Sequence, residues 1–183
     1  MDARPMRGCR AAFWRRADRG LRGGVSKMGD DVDRIMAVMH TAFDPEYGEA
    51  WNRRQVEDAL LLGHCHYLLA TADGEEPSGE VPASEIAGFT LSRHGFGEEE
   101  LLLFAVAPRF RRRGVGRRLL ERFSLAAQAR GARRLLLEMR RGNEAESLYL
   151  AHGFQPIGLR PNYYRTLSGP RVDAITFARG DEN

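Results

Sequence analysis

Residues 98–120 of the chain read EEELLLFAVAPRFRRRGVGRRLL, and this stretch decides the fold. The apolar run at 101–107 has the composition of a buried strand, and Pro108 ends its hydrogen-bond ladder. Arginines then surround Gly114-Val115-Gly116, and residues 114–130 place apolar side chains at helical spacing. The stretch therefore predicts a strand, a glycine turn and an amphipathic helix in direct succession.

A glycine turn between a strand and a helix is typical of a phosphate-binding site. Glycine lets the backbone approach a ligand, and the amides of the first helical turn point at it. Two well-known versions are excluded by the sequence. A dinucleotide fingerprint needs glycine three residues after Gly116, where Leu119 stands. A Walker loop needs Gly-Lys-Ser or Gly-Lys-Thr, which the sequence lacks.

The composition is that of one globular domain with some excess. The chain has 183 residues, of which 43% are hydrophobic, and this suffices for a substantial core. No apolar stretch approaches the roughly 18 residues of a membrane-spanning helix, which excludes such a span. Cys9 and Cys65 form neither a disulfide framework nor a metal-binding spacing, so we expect a protein of the reducing cytoplasm. His64 and His66 lack a third plausible ligand, and we expect no metal.

The net charge of +3 is unevenly distributed along the chain. Residues 1–27 carry +6, which leaves the remaining residues with −3 and argues against DNA or general RNA binding. Because residues 1–27 show no periodic apolar face, we predict a disordered basic extension, followed by a single domain at 28–183. Three interpretations of the extension remain open: a solvated tail, an arm that contacts RNA, and sequence translated from upstream of the true start. The RNA arm is the least favoured of the three.

The hydrophobic pattern predicts one α/β (α+β) domain. Its elements are a helix from Asp31, a helix at 52–62, strands at 64–71, 86–93 and 98–107, a helix at roughly 114–130, a strand at 133–140, a short helix within 143–154, and strands at 154–160 and 172–178 that flank a tyrosine-bearing loop at 160–171. This order predicts a mixed sheet with helices on both faces.

The glycine turn resembles the pyrophosphate loop of the GNAT superfamily of acetyl-CoA-dependent N-acetyltransferases, written Gln/Arg-x-x-Gly-x-Gly/Ala. The resemblance implies a mixed sheet of six to seven strands flanked by about four helices and splayed between the fourth and fifth strands. It also implies acetyl-CoA as acetyl donor, held by Arg111, Arg112, Arg113, Gly114, Val115 and Gly116 at its pyrophosphate and by Phe104, Ala105 and Val106 along its pantetheine arm. Arg112 or Arg117 would meet the 3′-phosphate. The alternative is an arginine-rich helix start without a ligand.

The second half of the chain narrows the resemblance. It is similar to the bacterial ribosomal-protein alanine N-acetyltransferases of the RimI type, on the following residues: Leu137-Glu138, Arg140, Asn143, Leu148-Tyr149, Gly153-Phe154, Arg160-Pro161-Asn162-Tyr163-Tyr164 and Val172-Asp173-Ala174. One spacing departs from the family pattern, since five residues separate Asn143 from Tyr149 where six are usual. Gly142 is therefore an alternative occupant of the asparagine position.

This resemblance assigns chemical roles to individual residues. Glu138 would be the general base, acting through water, and Tyr149 the acid toward the coenzyme A sulfur. Asn143 would contact the coenzyme A arm, and an amide near Val106 would polarise the thioester. The acetyl group would move directly in a ternary complex. An ion pair between Glu138 and Arg140 is the structural alternative for the carboxylate.

The implied acceptor is the N-terminal alanine of a small-subunit ribosomal protein. Trp51, Tyr163 and Tyr164 stand where the family shapes its acceptor groove. Acidic residues of the domain would suit a basic tail; they are Asp44, Glu46, Glu49, Glu98, Glu99 and Glu100. Two alternatives remain: acetylation of a lysine side chain or small amine, and a non-catalytic module that binds coenzyme A or the ribosome.

Overall fold

The computed structural model of the chain describes residues 25–180, so residues 1–24 and 181–183 lie outside the described residues. The first helix, α1 (Val25–Ala42), begins inside the predicted extension at 1–27. The helix overlaps the predicted extension at residues 25–27, since a helix satisfies its backbone internally and can run on beyond its buried face. The rest of the predicted extension lies outside the described residues.

The described residues form one mixed sheet with four α-helices. Besides α1 they contain α2 (Arg53–Leu61), β1 (Cys65–Ala70), β2 (Gly88–Gly95), β3 (Glu98–Val106), α3 (Val115–Ala129), β4 (Arg134–Arg140), α4 (Glu146–Ala151), β5 (Gln155–Arg165) and β6 (Arg171–Gly180). The strand order is β1-β2-β3-β4-β6-β5. Among the strands of residues 25–180, only the β3–β4 pair is parallel. The predicted mixed sheet with about four helices is confirmed.

The sheet opens between β3 and β4. These strands pair only from Glu98 opposite Arg134 to Leu101 opposite Leu137. Along β2, Ser92 faces Leu101 and Leu91 faces Leu103, so Leu102 is the extra residue of a β-bulge. A bulge bends its strand, and β3 leaves β4 at this point. The predicted splay of the sheet is thus present, and it lies between the third and fourth of the six described strands, where the resemblance to a fold of six to seven strands implied the fourth and fifth.

Apolar side chains cover both faces of the sheet. On one face Ile35 and Met39 of α1 belong to a buried cluster with Phe89 of β2. On the other, Phe123 of α3 belongs to a cluster with Phe177 of β6. Each fully buried side chain of this size contributes about 1.5–3 kcal/mol to folding. The two clusters therefore hold α1 and α3 on opposite faces of the sheet.

The predicted loop at 160–171 is mostly strand. Pairing between β5 and β6 is interrupted after Arg160 and resumes where Tyr164 faces Val172. Asn162 adopts a φ of +55° in the interruption, and its amide donates to Asp173 Oδ1 at 2.9 Å. Since the carboxylate satisfies this amide, the chain returns to the ladder and carries the tyrosine pair on β5.

Candidate active site

A cleft of about 290 Å³ lies where β3 diverges from β4. Its walls come from the α1–α2 connection, from β3 and β4, from the start of α4, and from the end of β5. It brings together seven residues that the sequence singled out, namely Trp51, Phe104, Glu138, Asn143, Tyr149, Tyr163 and Tyr164. Residues separated by more than a hundred positions therefore share one concave surface.

Glu138 lies on β4 and faces the cleft from the open part of the sheet. Its Oε2 is 3.4 Å from the Arg160 guanidinium and accepts a 3.4 Å hydrogen bond from the Thr176 hydroxyl. Burial raises the pKa of the Glu138 carboxyl, and the attraction of Arg160 opposes that rise only in part. The environment thus makes Glu138 a stronger base than an exposed glutamate.

The proposed ion pair between Glu138 and Arg140 is not formed. Arg140 instead pairs with Glu49 at 3.2 Å, and its guanidinium lies 3.7 Å from the centre of the Tyr47 ring. Successive side chains of a strand alternate between its faces, but 138 and 140 share one face. The difference arises because the α1–α2 connection folds over the end of β4 and supplies a closer carboxylate to Arg140.

Tyr149 is buried on α4, and its ring borders the cleft. The ring packs edge-on against Phe104, with centroids 5.9 Å apart, and against Phe154 at 6.0 Å. Its hydroxyl makes no hydrogen bond with any of the described residues. Burial, with a smaller contribution from the charge of Glu49, raises the pKa of the Tyr149 phenol. The phenol therefore keeps its proton at neutral pH and can donate it only to a strongly basic atom.

The backbone of β3 beyond Leu101 has one paired edge. Residues 103–106 pair with β2, whereas pairing with β4 has ended. The opposite edge of this segment therefore faces the opening in the sheet. Phe104 lines the cleft, and Ala105 is buried on the other side of the strand. The exposed edge offers backbone groups to an extended ligand, as a further strand would, although the Val106 carbonyl already accepts from Arg111.

The turn at 111–116 forms the N-terminal end of α3. Gly114 is the N-cap, with a φ of +85° that glycine adopts without steric cost. The Arg118 amide donates to the Gly114 carbonyl at 3.1 Å, so the amides of residues 115–117 point out of the helix end. Together with the helix dipole they favour an anion at this end.

Arg111 differs from the rest of the predicted loop. Its amide donates to the Pro108 carbonyl at 3.1 Å. Its guanidinium donates to the carbonyls of Val106 at 3.0 Å and Ala42 at 2.9 Å. Arg111 therefore joins the end of β3 to the end of α1, and its amide is already engaged within the protein. That Arg111 holds the pyrophosphate stays a prediction.

The other arginines near the turn divide into two groups. Arg117 pairs with Glu121 at 3.0 Å, and Arg118 donates to the carbonyl of Asp73. Arg112 and Arg113 are exposed beside the turn, and Arg112 has a φ of +60°. Arg112 and Arg113 therefore keep exposed guanidinium groups that a ligand at the turn can contact.

Asn143 hydrogen-bonds to the turn before α4 and also lines the cleft. Its Oδ1 accepts a 2.9 Å hydrogen bond from the Ala145 amide, and the residue lines the cleft. Gly142, the alternative for this position, has a φ of +80° and carries no side chain. Of these two candidates for the asparagine position of the family, Asn143 is the one with an amide side chain, and it lines the cleft.

Two acidic residues of the cleft lacked a specific role in the sequence. Glu49 and Glu100 line it together with Glu138. The other acids that were grouped with them lie elsewhere: Glu99 is fully buried against Arg130, and Glu98 pairs with Arg134. The alternation along β3 was a sequence signal that separates Glu99 from Glu98 and Glu100, but it could not separate Glu98 from Glu100.

Two classes of feature are absent from residues 25–180. Every helix there is too short or too polar to cross a bilayer. In the same part of the chain, no three histidine, cysteine or acidic side chains are grouped so that they would bind a metal ion.

Comparison with known proteins gives consistent matches. Residues 63–156, about half of the chain, match the family described as "Acetyltransferase (GNAT) domain". The [ribosomal protein bS18]-alanine N-acetyltransferase of Haemophilus influenzae is 33% identical over 98 residues, 54% of this chain and 67% of that protein. The protein of the same description from Escherichia coli K12 is 39% identical over 95 residues, 51% of this chain and 64% of that protein.

Solved structures extend the likeness to most of the chain. The crystal structure of the ribosomal-protein-S18-alanine N-acetyltransferase from Escherichia coli has a TM-score of 0.62 and 27% identity, over 82% of this chain and 87% of that chain. The sequence matches span only about two thirds of the two relatives' length. These findings confirm the predicted resemblance in both sequence and fold.

Proposed function

Because the chain belongs to the GNAT family of acetyltransferases, we propose that it transfers the acetyl group of acetyl-CoA to the N-terminal α-amine of a protein. The proposed acceptor is the N-terminal alanine of a small-subunit ribosomal protein, as the descriptions of the relatives suggest for this chain. One observation carries the proposal. A half-buried carboxylate and a buried phenol, Glu138 and Tyr149, line one cleft beside the unpaired edge of β3.

Acetyl-CoA fits the features next to that cleft. Its pyrophosphate would lie on the amides at the N-terminus of α3, within reach of the exposed Arg112 and Arg113. Its pantetheine arm would pair with the free edge of β3 at Phe104 and Val106. Asn143 would contact the same arm from the start of α4. For the 3′-phosphate we favour Arg112 over Arg117, because Arg117 is already paired with Glu121.

The cleft residues then supply the two proton transfers of the reaction. Glu138, directly or through a water, takes the proton that the acceptor ammonium must lose before its nitrogen can attack the thioester carbon. The new C–N bond forms as the C–S bond breaks, and the thiolate takes a proton from Tyr149. The nitrogen gives its second proton to the resulting tyrosinate, so that Tyr149 regains its proton. The raised pKa of Glu138 suits proton uptake, and the raised pKa of Tyr149 keeps the phenol protonated at neutral pH. Because this phenol is a weaker acid than a thiol, its proton moves to the thiolate only as the second proton of the nitrogen replaces it.

The walls of the cleft support a chain end as acceptor. The Leu167 amide donates to the Glu46 carbonyl at 3.0 Å, and the Glu46 carboxylate accepts from the amide and hydroxyl of Ser168. The α1–α2 connection is thus tied to the β5–β6 turn beside Trp51 and the tyrosine pair. A wall closed in this way favours the tip of a chain over a segment that must pass through. An α-amine, with a pKa of about 7.7–8.0 against about 10.4 for lysine, also offers a few hundred-fold more neutral amine at pH 7.

Acetyl transfer to short peptides tests the proposal. Peptides that begin with alanine should be acetylated at the α-amine, and the same peptides with a blocked N-terminus and an internal lysine should not. Glu138→Gln and Tyr149→Phe should each slow turnover by at least about a hundredfold. Preferred reaction of the blocked peptides, or of polyamines, would support the lysine or small-amine alternative. An unmodified protein that binds coenzyme A without turnover would support the non-catalytic alternative.

Ribosomes test the finer part of the proposal. Purified protein should acetylate one small-subunit protein on ribosomes that lack N-terminal acetylation, as read by mass spectrometry of the intact ribosomal proteins. We also propose that residues 1–24 are dispensable for reaction with short peptides, because the cleft is lined by residues 43–164. A shortened chain with full peptide activity but lost ribosome activity would support the RNA-contacting arm instead.

A further inference from the structure

Three carboxylates line the cleft, and their partners differ. Glu138 lies against Arg160, and Glu100 accepts from Arg93 at 2.5 Å. Glu49 accepts from Arg140 through Oε2 at 3.2 Å. The second oxygen of Glu49, Oε1, makes no hydrogen bond with any described residue. Glu49 therefore presents an open acceptor atom to the cleft.

The surroundings of Glu49 hold this atom in place. The side chains of Glu49 and Arg140 are only 16% and 17% exposed. The Arg140 guanidinium stacks on the Tyr47 ring, so the ion pair is fixed from both sides. Glu49 also lines the same cleft as Glu138 and Tyr149. Burial raises the pKa of the Glu49 carboxyl, and the Arg140 guanidinium opposes that rise. The ion pair with Arg140 thus favours the charged carboxylate that the binding of a cation needs.

An α-amine reaches the cleft mostly as an ammonium ion, since its pKa of about 7.7–8.0 lies above neutral pH. A cation that leaves water needs a charged or hydrogen-bonded partner. Glu138 cannot supply a lasting one, because it has to take the ammonium proton. A second carboxylate in the cleft can hold the cation while Glu138 takes the proton.

We propose that Glu49 is the residue that binds the acceptor's α-ammonium, through a hydrogen bond to its Oε1, before Glu138 removes the proton. This inference rests on the proposed function and adds the residue that selects a cationic amine. Glu49 keeps its own protonation state throughout. One ammonium proton passes to Glu138, the neutral nitrogen attacks, and the contact with Glu49 loosens as the charge disappears.

Glu49→Gln tests the inference, because it keeps the shape and removes the charge. The KM for an alanine-initiated peptide should rise about tenfold, in line with the loss of a charge-assisted hydrogen bond. The kcat and the KM for acetyl-CoA should stay within about twofold. Glu57→Gln is the matched control, since Glu57 lies on α2 with 41% of its side chain exposed and pairs with Arg53 outside the cleft. Unchanged peptide KM in Glu49→Gln would overturn the inference.

Two unreactive peptides measure the charge preference directly. One carries an N-terminal dimethylamino group, which is cationic, and the other a hydroxyl in its place. The unmodified protein should bind the cationic peptide about tenfold more tightly, and Glu49→Gln should bind both equally. Glu49→Asp should keep part of the preference, which preserves the test if the glutamine variant does not fold.

The Arg140→Gln variant distinguishes a Glu49 that binds the ammonium from a Glu49 that only anchors the α1–α2 connection. If Glu49 acts by binding the ammonium, this variant retains the preference for the cationic peptide. If Glu49 only anchors the α1–α2 connection, Arg140→Gln and Glu49→Gln lose the preference alike, which contradicts the inference. If the unmodified protein is active and Glu49→Gln has the same peptide KM, the inference fails and the proposed function stands. If the unmodified protein neither acetylates nor binds peptide N-termini, both fail.

Discussion

The carboxylate of Glu138 and the guanidinium of Arg160 lie 3.4 Å apart, on two strands that are separated by β6. Burial raises the pKa of Glu138, and Arg160 limits the rise. The pair therefore sets the pH at which the proposed base becomes competent.

Arg160→Gln should shift the acid limb of the pH profile to higher pH. A general base works when deprotonated, and removal of a neighbouring positive charge disfavours the deprotonated carboxylate. The pKa of Glu138 should consequently rise further, and kcat/KM should fall at a higher pH than in the unmodified protein. The measurement is kcat/KM for an alanine-initiated peptide across the acid range.

Arg165→Gln is the control for that shift. Arg165 is exposed at the end of the same strand, β5, and its replacement removes one positive charge outside the cleft. Equal shifts in the two variants would mean that overall charge, and not the contact with Glu138, sets the profile.

Gly114→Ala should destabilise the protein by about 1–2 kcal/mol, because alanine is strained at the left-handed φ of +85°. Gly116→Ala is the matched comparison two residues on. A methyl group there would meet its nearest neighbours at 3.5 Å, which is ordinary contact, and the position lies within α3. Its free energy of unfolding should change by less than about 1 kcal/mol. Denaturant unfolding of both variants checks the contrast, and similar losses would contradict it.

Tyr149→Phe should lower kcat by about 10²–10⁴-fold while leaving stability nearly unchanged. The ring keeps its edge contacts with Phe104 and Phe154, and the lost hydroxyl has no hydrogen-bond partner among residues 25–180. Turnover is followed by release of the coenzyme A thiol, and stability by thermal unfolding.

Tyr67→Phe should show the opposite behaviour. The Tyr67 hydroxyl donates a 2.6 Å hydrogen bond to Asp31, a buried carboxylate on α1 that also accepts from Arg34. Its loss should cost about 1–3 kcal/mol of unfolding free energy and leave kcat intact. A tyrosine-to-phenylalanine change that lowered kcat equally at both positions would remove the special role of Tyr149.

Glu46→Ala should weaken acceptor binding without affecting acetyl-CoA. Hydrogen bonds from Ser168 hold the pKa of the Glu46 carboxyl below its usual value, so the tie to the β5–β6 turn persists into mildly acidic solution. Without the tie, the KM for peptides should rise and amide hydrogen exchange at residues 166–169 should accelerate. Ser168→Ala keeps the amide contact and should give a smaller effect; a larger one would contradict this account.

Local pattern was enough for the strand, turn and helix of residues 98–120. The apolar run, Pro108 and Gly114 act through backbone geometry within a few residues, and the observed bounds differ from the predicted ones by one residue at most. The same reasoning placed Glu138 on a strand and Tyr149 on a short helix. Their roles in catalysis stay predictions until the variants are measured.

Pairing between distant segments was beyond the reach of such patterns. The bulge at Leu102 depends on the register of β2, and the strand that carries Tyr163 and Tyr164 depends on Asp173 of β6. The Glu138–Arg140 pair failed for the same reason, because Glu49, 91 positions from Arg140, competes for the arginine.

The sequence by itself determined the order of elements, the glycine turn and the family, because short-range backbone preferences and side-chain periodicity are written in neighbouring residues. Only the tertiary structure decided where the sheet opens, which arginine meets which carboxylate, and which acids face the cleft. Those outcomes follow from competition between partners that are far apart in the chain, and packing of the whole domain is what brings the competitors together.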